Sequence, residues 1–153
     1  MQYYSYESFK ADMKALVCKL DFNPDGIVAI SRGGLTMAHF LGIALDLRKV
    51  YTINATSFVD RVRQELQVCN IPELGGSSRI LIVDEIIDSG ASMERVLKVL
   101  KSINPNIEFK TAVIFAKKNA KIQPDYFIQE AKGWIEFFWE VDIIQSLRGE
   151  REC

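Results

Sequence analysis

Ile80-Leu81-Ile82-Val83-Asp84-Glu85-Ile86-Ile87-Asp88-Ser89-Gly90-Ala91-Ser92 is the stretch from which the fold is read. Four consecutive apolar residues lead into two adjacent acids and a small hydroxyl-rich turn. From Met93 to Leu100 apolar residues then recur at helical spacing, so the segment predicts strand, loop and helix. An apolar run without polar alternation implies a strand covered on both faces, as in the centre of a parallel α/β sheet. Asp84 and Glu85 then stand at its carboxyl end, the edge at which open α/β sheets bind ligands.

The turn suits an anion. Gly90 removes a side chain that would keep a ligand from the backbone, Ser89 and Ser92 add hydroxyl donors, and the following helix offers unpaired amides at its positive end. A phosphate fits there, while acids ahead of it suit the hydroxyls of an attached ribose or a magnesium ion shared with further phosphate. The plainer alternative is a strand ending in acids with Ser89 or Ser92 capping a helix.

Val83 through Ser92 resembles the phosphoribosyl-pyrophosphate (PRPP) signature of the type I phosphoribosyltransferases: a hydrophobic strand, two acids, two apolar residues, Asp, a hydroxyl residue, Gly and a closing hydroxyl residue. The resemblance implies that Asp84, Glu85, Asp88, Ser89, Gly90, Ala91 and Ser92 bind the ribose phosphate, with Asp84 or Glu85 touching Mg2+.

The whole chain has 153 residues, 48% hydrophobic and 25% charged, with a net charge of -1. That is one ordinary globular domain over residues 1-153, without the basic field that nucleic-acid binders carry. No apolar run approaches the roughly 18 residues of a membrane span, and the opening Met1-Gln2-Tyr3-Tyr4 lacks a secretory pattern, so a cytoplasmic location is expected. Cys18, Cys69 and Cys153 are far apart and read as free thiols. His39, the single histidine, is expected to be packed or hydrogen-bonded within a helix, having no second histidine with which to share a metal.

Phe9, Met13, Leu16, Val17 and Leu20 predict an amphipathic helix over residues 5-20 with Ser5 as its cap. Ile27 to Ile30 reads as a buried strand, followed by Ser31-Arg32-Gly33-Gly34 and a helix from Leu35 to Leu45. Two glycines and a guanidinium at a strand's carboxyl end make a second anion site on the same sheet edge, or else an ordinary glycine turn. Ser-Arg-Gly-Gly is similar to the pyrophosphate loop of the small bacterial xanthine-guanine enzymes, which implies that Ser31, Arg32, Gly33 and Gly34 bind pyrophosphate.

Val50 to Ala55 predicts a third strand. The polar stretch 56-65 has no clear period and is read as irregular; the resemblance makes it a lid in which either Arg61 or, by preference, Arg63 reaches pyrophosphate. Leu66 to Cys69 reads as a short strand and Phe109 to Ala116 as another buried one. The latter ends on Lys117, whose ammonium is either solvated or able to donate to a carbonyl oxygen. Phe115-Ala116-Lys117 and Trp134-Ile135-Glu136 again resemble the xanthine-guanine enzymes and imply base binding by Lys117, Trp134 and Ile135. Residues 140-144 are apolar enough to pack, and the tail from Arg148 to Cys153 is expected to fray.

The resemblance thus implies a type I phosphoribosyltransferase fold, a twisted, mostly parallel sheet flanked by helices, with a small hood from the N-terminal segment and roughly 117-145. It also implies PRPP and a purine base as partners, Mg2+ as cofactor, a dimer or tetramer, and a reaction that forms a purine nucleoside monophosphate. Asp88 would manage the proton of the base and Lys117 its 6-oxo group. A non-catalytic PRPP- or nucleotide-sensing regulator of the same fold is the competing class.

Overall fold

A computed structural model describes residues 1-60 and 63-150, and side chains outside 57-65 and 149-150. Its elements in order are β1 (Gln2–Tyr4), α1 (Tyr6–Lys19), β2 (Gly26–Ser31), α2 (Leu35–Ala44), β3 (Val50–Asp60), β4 (Arg63–Cys69), β5 (Arg79–Ile87), α3 (Ala91–Ile103), β6 (Glu108–Ala116), β7 (Gln129–Glu130), β8 (Ile135–Phe137) and α4 (Phe138–Glu150).

Six strands form one sheet in the order β4-β3-β2-β5-β6-β7. All neighbours run parallel except the β3–β4 pair, which is antiparallel at the edge. The unalternated apolar runs do what their composition dictates. In β2 and β5, Ile27, Ala29, Leu81 and Val83 point into the layer packed on α1 and α2. Val28, Ile30, Ile80 and Ile82 point into the layer under α3. Each such Val, Leu or Ile side chain, fully buried, contributes roughly 1.5–3 kcal/mol, so the two central strands dominate the core. Helix α3 closes its layer with Met93, Val96 and Leu100, the apolar spacing already legible in the sequence.

Helix α1 begins at the expected cap: Ser5 is extended, and its hydroxyl accepts from the Ser8 amide at 3.1 Å. Phe9, Met13 and Leu16 are its buried face. His39 departs from expectation. It stands exposed on α2 with its ring edge-on to Phe40, because the buried face of that helix is Met37, Ala38, Leu41 and Gly42.

The stretch 56-65 also differs from its reading as irregular. β3 runs on to Asp60 and β4 returns from Arg63, pairing Asn54 with Cys69 through Asp60 with Arg63. The polar, charged sequence of the stretch carries no apolar period that would have revealed it. Arg61 lies outside the described residues, as does the side chain of Arg63.

A second, two-stranded sheet joins β1 to β8 in parallel, with Gln2 opposite Ile135 and Tyr4 opposite Phe137. Tyr4 sits among Phe115, Phe137 and Trp139 in edge-to-face contacts. Its hydroxyl donates to Asp12 at 2.7 Å. The aromatic run after Trp134 therefore divides into a strand and the first turn of α4, and residues 138-150 are helical where packing and then fraying were expected.

Candidate active site

Three loops at the carboxyl edge of the parallel strands carry the polar residues. The first follows β2. Its Ser31–Arg32 peptide bond is cis. Gly33 lies so close to β5 that a Cβ there would fall onto the carboxylate of Glu85. Gly34 is held differently from expectation: its amide donates to the Ile30 carbonyl at 2.9 Å. A Cβ on it would stand 2.5 Å from the Val83 carbonyl oxygen. That glycine is required by packing between strands, and its amide is already engaged.

The second loop follows β5. The Glu85 amide donates to Asp84 Oδ1 at 2.9 Å, which folds the two acids against each other. Burial, and then the neighbouring Glu85, push the Asp84 carboxyl well above the usual range. Glu85 Oε2 is itself buried without a hydrogen-bond partner. A buried oxygen of this kind costs free energy unless something supplies a donor or a cation.

Further along, Gly90 is left-handed with φ 88°, and a Cβ would meet Ile122 Cγ2 at 2.7 Å. On the side where a Cβ would stand, the segment after β6 packs against this glycine, so its backbone conformation and the approach of that segment both require it. The Ser89 hydroxyl accepts from the Ala91 amide at 3.2 Å, a local cap. The amides of Ser92 and Met93, in the first turn of α3, are of the kind a helix leaves for an external acceptor.

The third loop follows β6. The Lys117 amide donates to the Ile87 carbonyl at 2.9 Å, and its ammonium pairs with Asp88 Oδ1 at 2.5 Å. Nearby, Trp134 is 74% exposed while Ile135 is 7% exposed. The Trp134 carbonyl accepts from the Gln2 amide at 2.9 Å, which ties that part of the backbone to β1.

Three cavities share walls. One of 210 Å³ is lined by Asp84 through Met93. One of 340 Å³ is lined by Glu85, Asp88, Lys117, Trp134, Ile135 and Glu140 among others. One of 500 Å³ lies between Arg32, Gly33, Leu35 and Thr36 on one side and Trp139, Glu140, Val141, Ile143 and Ile144 of α4 on the other. Glu85 and Asp88 border the first two, and Glu140 borders the second and third. The arrangement brings together Arg32, Gly33, Asp84, Glu85, Asp88, Lys117, Trp134 and Ile135.

Glu140 is the residue that sequence reasoning passed over. Burial, and then Glu85, raise its carboxyl above the usual range, with Arg32 opposing. Only its position just after the aromatic run, where a strand turns into a helix, could have marked it.

The family model described as "Phosphoribosyl transferase domain" matches residues 2–145. The chain belongs to the phosphoribosyltransferase family, of type I. Within it, the chain is close to the bacterial xanthine-guanine phosphoribosyltransferases: one from a Ruegeria species is 32% identical over 95% of this chain and 89% of its own length. The solved xanthine-guanine-hypoxanthine phosphoribosyltransferase of Helicobacter pylori superposes with a TM-score of 0.91 at 42% identity, covering 97% of this chain and 99% of that one. A purine phosphoribosyltransferase from Pyrococcus horikoshii follows at a TM-score of 0.81 and 28% identity, covering 91% of this chain and 93% of that one.

Proposed function

We propose that this protein is a PRPP-dependent purine phosphoribosyltransferase of purine salvage. It joins a 6-oxopurine (guanine, xanthine or hypoxanthine) to the anomeric carbon of PRPP and releases pyrophosphate. The observation that carries the reading is the contact of Gly33 with Glu85, which sets the β2 loop against the acids of β5 and links the three cavities. The names of the similar enzymes support the same chemistry.

In this reading the cavity from Asp84 to Met93 takes the 5′-phosphate, with Ser89 to Ser92 and the free amides of α3 as donors. Asp84 and Glu85 hold the ribose hydroxyls. Arg32 and the Gly33 amide stabilise charge on the departing pyrophosphate, where preorganised donors act most strongly. The base enters beside Trp134 and Ile135, with its 6-oxo group toward Lys117 and its imidazole-ring proton toward Asp88. As the ring nitrogen facing the anomeric carbon bonds to it, the bond from that carbon to the pyrophosphate oxygen breaks, and the proton carried by the other imidazole-ring nitrogen leaves toward Asp88. Arg63 belongs to the proposal as a further pyrophosphate contact.

The acid pair fits Mg2+. The orphaned Glu85 Oε2 is a hard oxygen awaiting a cation, and among the described residues no third acid, histidine or cysteine completes a cage. Magnesium is commonly held by one or two carboxylates with substrate oxygens and water making up the rest. Bound there, it would offset the negative charge of the pyrophosphate group.

A cytoplasmic location and assembly as a homo-oligomer belong to the same proposal; no helix among the described residues is long and apolar enough to cross a membrane. The test is incubation of purified protein with Mg2+, PRPP and each of guanine, xanthine, hypoxanthine and adenine, followed by chromatography of the products. Nucleotide should form from 6-oxopurines and not from adenine. Absence of product from all three 6-oxopurines would overturn the reading.

A further inference from the structure

Tyr4 is the point at which the walls of the 340 Å³ cavity meet beneath its floor. Its buried ring stands edge-on to Phe115 at 5.1 Å, to Phe137 at 5.8 Å and to Trp139 at 6.2 Å between centroids. Each of these neighbours lies one or two residues from a wall of the cavity: Phe115 from Lys117, Phe137 from Ile135, and Trp139 from Glu140.

Packing accounts for the ring but not for the hydroxyl. A phenylalanine would fill the same aromatic contacts, and a buried hydroxyl costs free energy unless it is hydrogen-bonded. The Tyr4 hydroxyl donates to Asp12 Oδ2 at 2.7 Å, and the same oxygen accepts from Gln129 Nε2 at 2.6 Å. Tyr4 belongs to β1, Asp12 to α1 and Gln129 to β7. A carboxylate oxygen with two donors fixes the direction of both, because charge-assisted bonds are shorter and stronger than neutral ones. Burial, and then Asp12, push the Tyr4 hydroxyl far above its usual range, so it stays a donor.

The backbone carries this tie to the cavity. β1 pairs with β8, and the Gln2 amide donates to the Trp134 carbonyl. β7 pairs with β6, with Gln129 opposite Phe115, and Lys117 follows directly on β6. One carboxylate thus reaches, by short paths, the strand that leads into Lys117 and the strand that leaves Trp134.

We infer that Asp12 is a positioning residue for the purine base: through Tyr4 and Gln129 it fixes the spacing between Lys117 and the pair Trp134 and Ile135, without touching substrate. The inference rests on the proposed function and deepens it, by naming what holds the two walls of the base cavity in register. A flat heterocycle gripped from two sides needs that spacing kept within about 0.5 Å. The phosphate loop is held by other means. Gly90 opens α3, and the Ser89 carbonyl accepts from the Lys121 amide at 3.0 Å. A disturbance at Asp12 is therefore felt by the base and not by PRPP.

Steady-state kinetics with PRPP and each 6-oxopurine that the wild type uses, together with hydrogen exchange of the free protein, test the inference. Tyr4→Phe keeps the ring and deletes the hydroxyl. It should raise KM for the base about tenfold, since small misplacements far from the chemistry carry penalties of this order, and leave KM for PRPP unchanged. Asp12→Ala should do at least as much, and Asp12→Asn, whose amide oxygen still accepts, should restore most of the loss. In the free protein the amides of β8 should exchange about tenfold faster in Tyr4→Phe and Asp12→Ala than in the wild type. Tyr126→Phe is the control: Tyr126 donates to Asp21, just beyond the other end of α1, and its loss should lower Tm without moving KM for the base or the exchange of β8.

Should Asp12→Ala fail to fold, Tyr4→Phe and Asp12→Asn decide. Equal rises in KM for base and PRPP, a Tyr126→Phe effect as large as that of Tyr4→Phe, or a Tyr4→Phe protein with wild-type KM and wild-type exchange would overturn the inference. A wild-type protein that forms no nucleotide would remove the transferase reading instead. The spacing role is then decided by exchange alone: it stands if Tyr4→Phe quickens β8 and Tyr126→Phe does not, and falls otherwise.

Discussion

The ammonium of Lys117 lies 2.5 Å from Asp88 Oδ1, joining the ends of β6 and β5 at the wall of the 340 Å³ cavity. In the proposed reaction the incoming purine parts this pair. Its 6-oxo group takes over Lys117, and Asp88 is left to receive the ring proton.

Asp88→Asn should therefore lower kcat by about 10²–10⁴-fold, the usual worth of a general base. PRPP affinity should stay nearly unchanged, because Asp88 precedes the phosphate loop and need not touch phosphate. Steady-state kinetics together with PRPP titration check this; equal losses in turnover and PRPP affinity would assign Asp88 to binding alone.

Lys117→Met should raise KM for the base by roughly 10- to 100-fold, the loss of a hydrogen bond to a charged group. The penalty should fall on 6-oxopurines and relax their preference over adenine. Competition between hypoxanthine and adenine gives the readout, and an unchanged ratio would remove Lys117 from base recognition.

Asp84 should make the free protein less stable as pH rises. Burial and Glu85 raise its folded carboxyl above the unfolded value, so the folded state holds the proton longer. Stability is then fully present below the ordinary carboxylate range and is lost as pH climbs through the raised value. Asp84→Asn should flatten that decline and raise Tm near neutral pH, on the order of 2–4 °C per kcal/mol relieved, while weakening Mg2+-dependent PRPP binding. Thermal unfolding at several pH values decides; a variant that melts lower than wild type at neutral pH would contradict the account.

Gly33→Ala and Gly90→Ala should fail in different ways. The first drives a methyl onto the Glu85 carboxylate and should cut PRPP affinity at least about tenfold, or roughly 1.4 kcal/mol, with a small change in Tm. The second combines a left-handed backbone with a clash against Ile122, and should cost at least about 1–2 kcal/mol of folding stability. Denaturant unfolding and PRPP titration of both variants separate the two effects.

The unalternated runs at Ile27 and Ile80 made the parallel strands legible, since burial on both faces leaves no polar residue to obscure them. The loops after them were legible because acids, arginine and glycines at strand ends have few uses. The hairpin through 56-65 was not, since its polar, charged sequence carries no apolar period. Helix α4 was read only as a packing segment and a fraying tail, because the aromatic run ahead of it and the charged residues from Arg148 leave few apolar positions between them. For Gly90 the sequence supplied one reason, open access to the backbone, and the structure adds a second. A sequence shows that a side chain is missing, and only tertiary structure shows that Ile122 occupies the space.

The central claim is that one sugar phosphate touches all three loops at once, and the reverse reaction tests it most directly because every cavity must be filled together. With Mg2+, labelled pyrophosphate and a 6-oxopurine nucleoside monophosphate, the protein should carry label into PRPP and release free base. Arg32→Ala should abolish the transfer while leaving nucleotide binding in place. Nucleotide and pyrophosphate that bind without any transfer of label, or that exclude each other, would contradict the account.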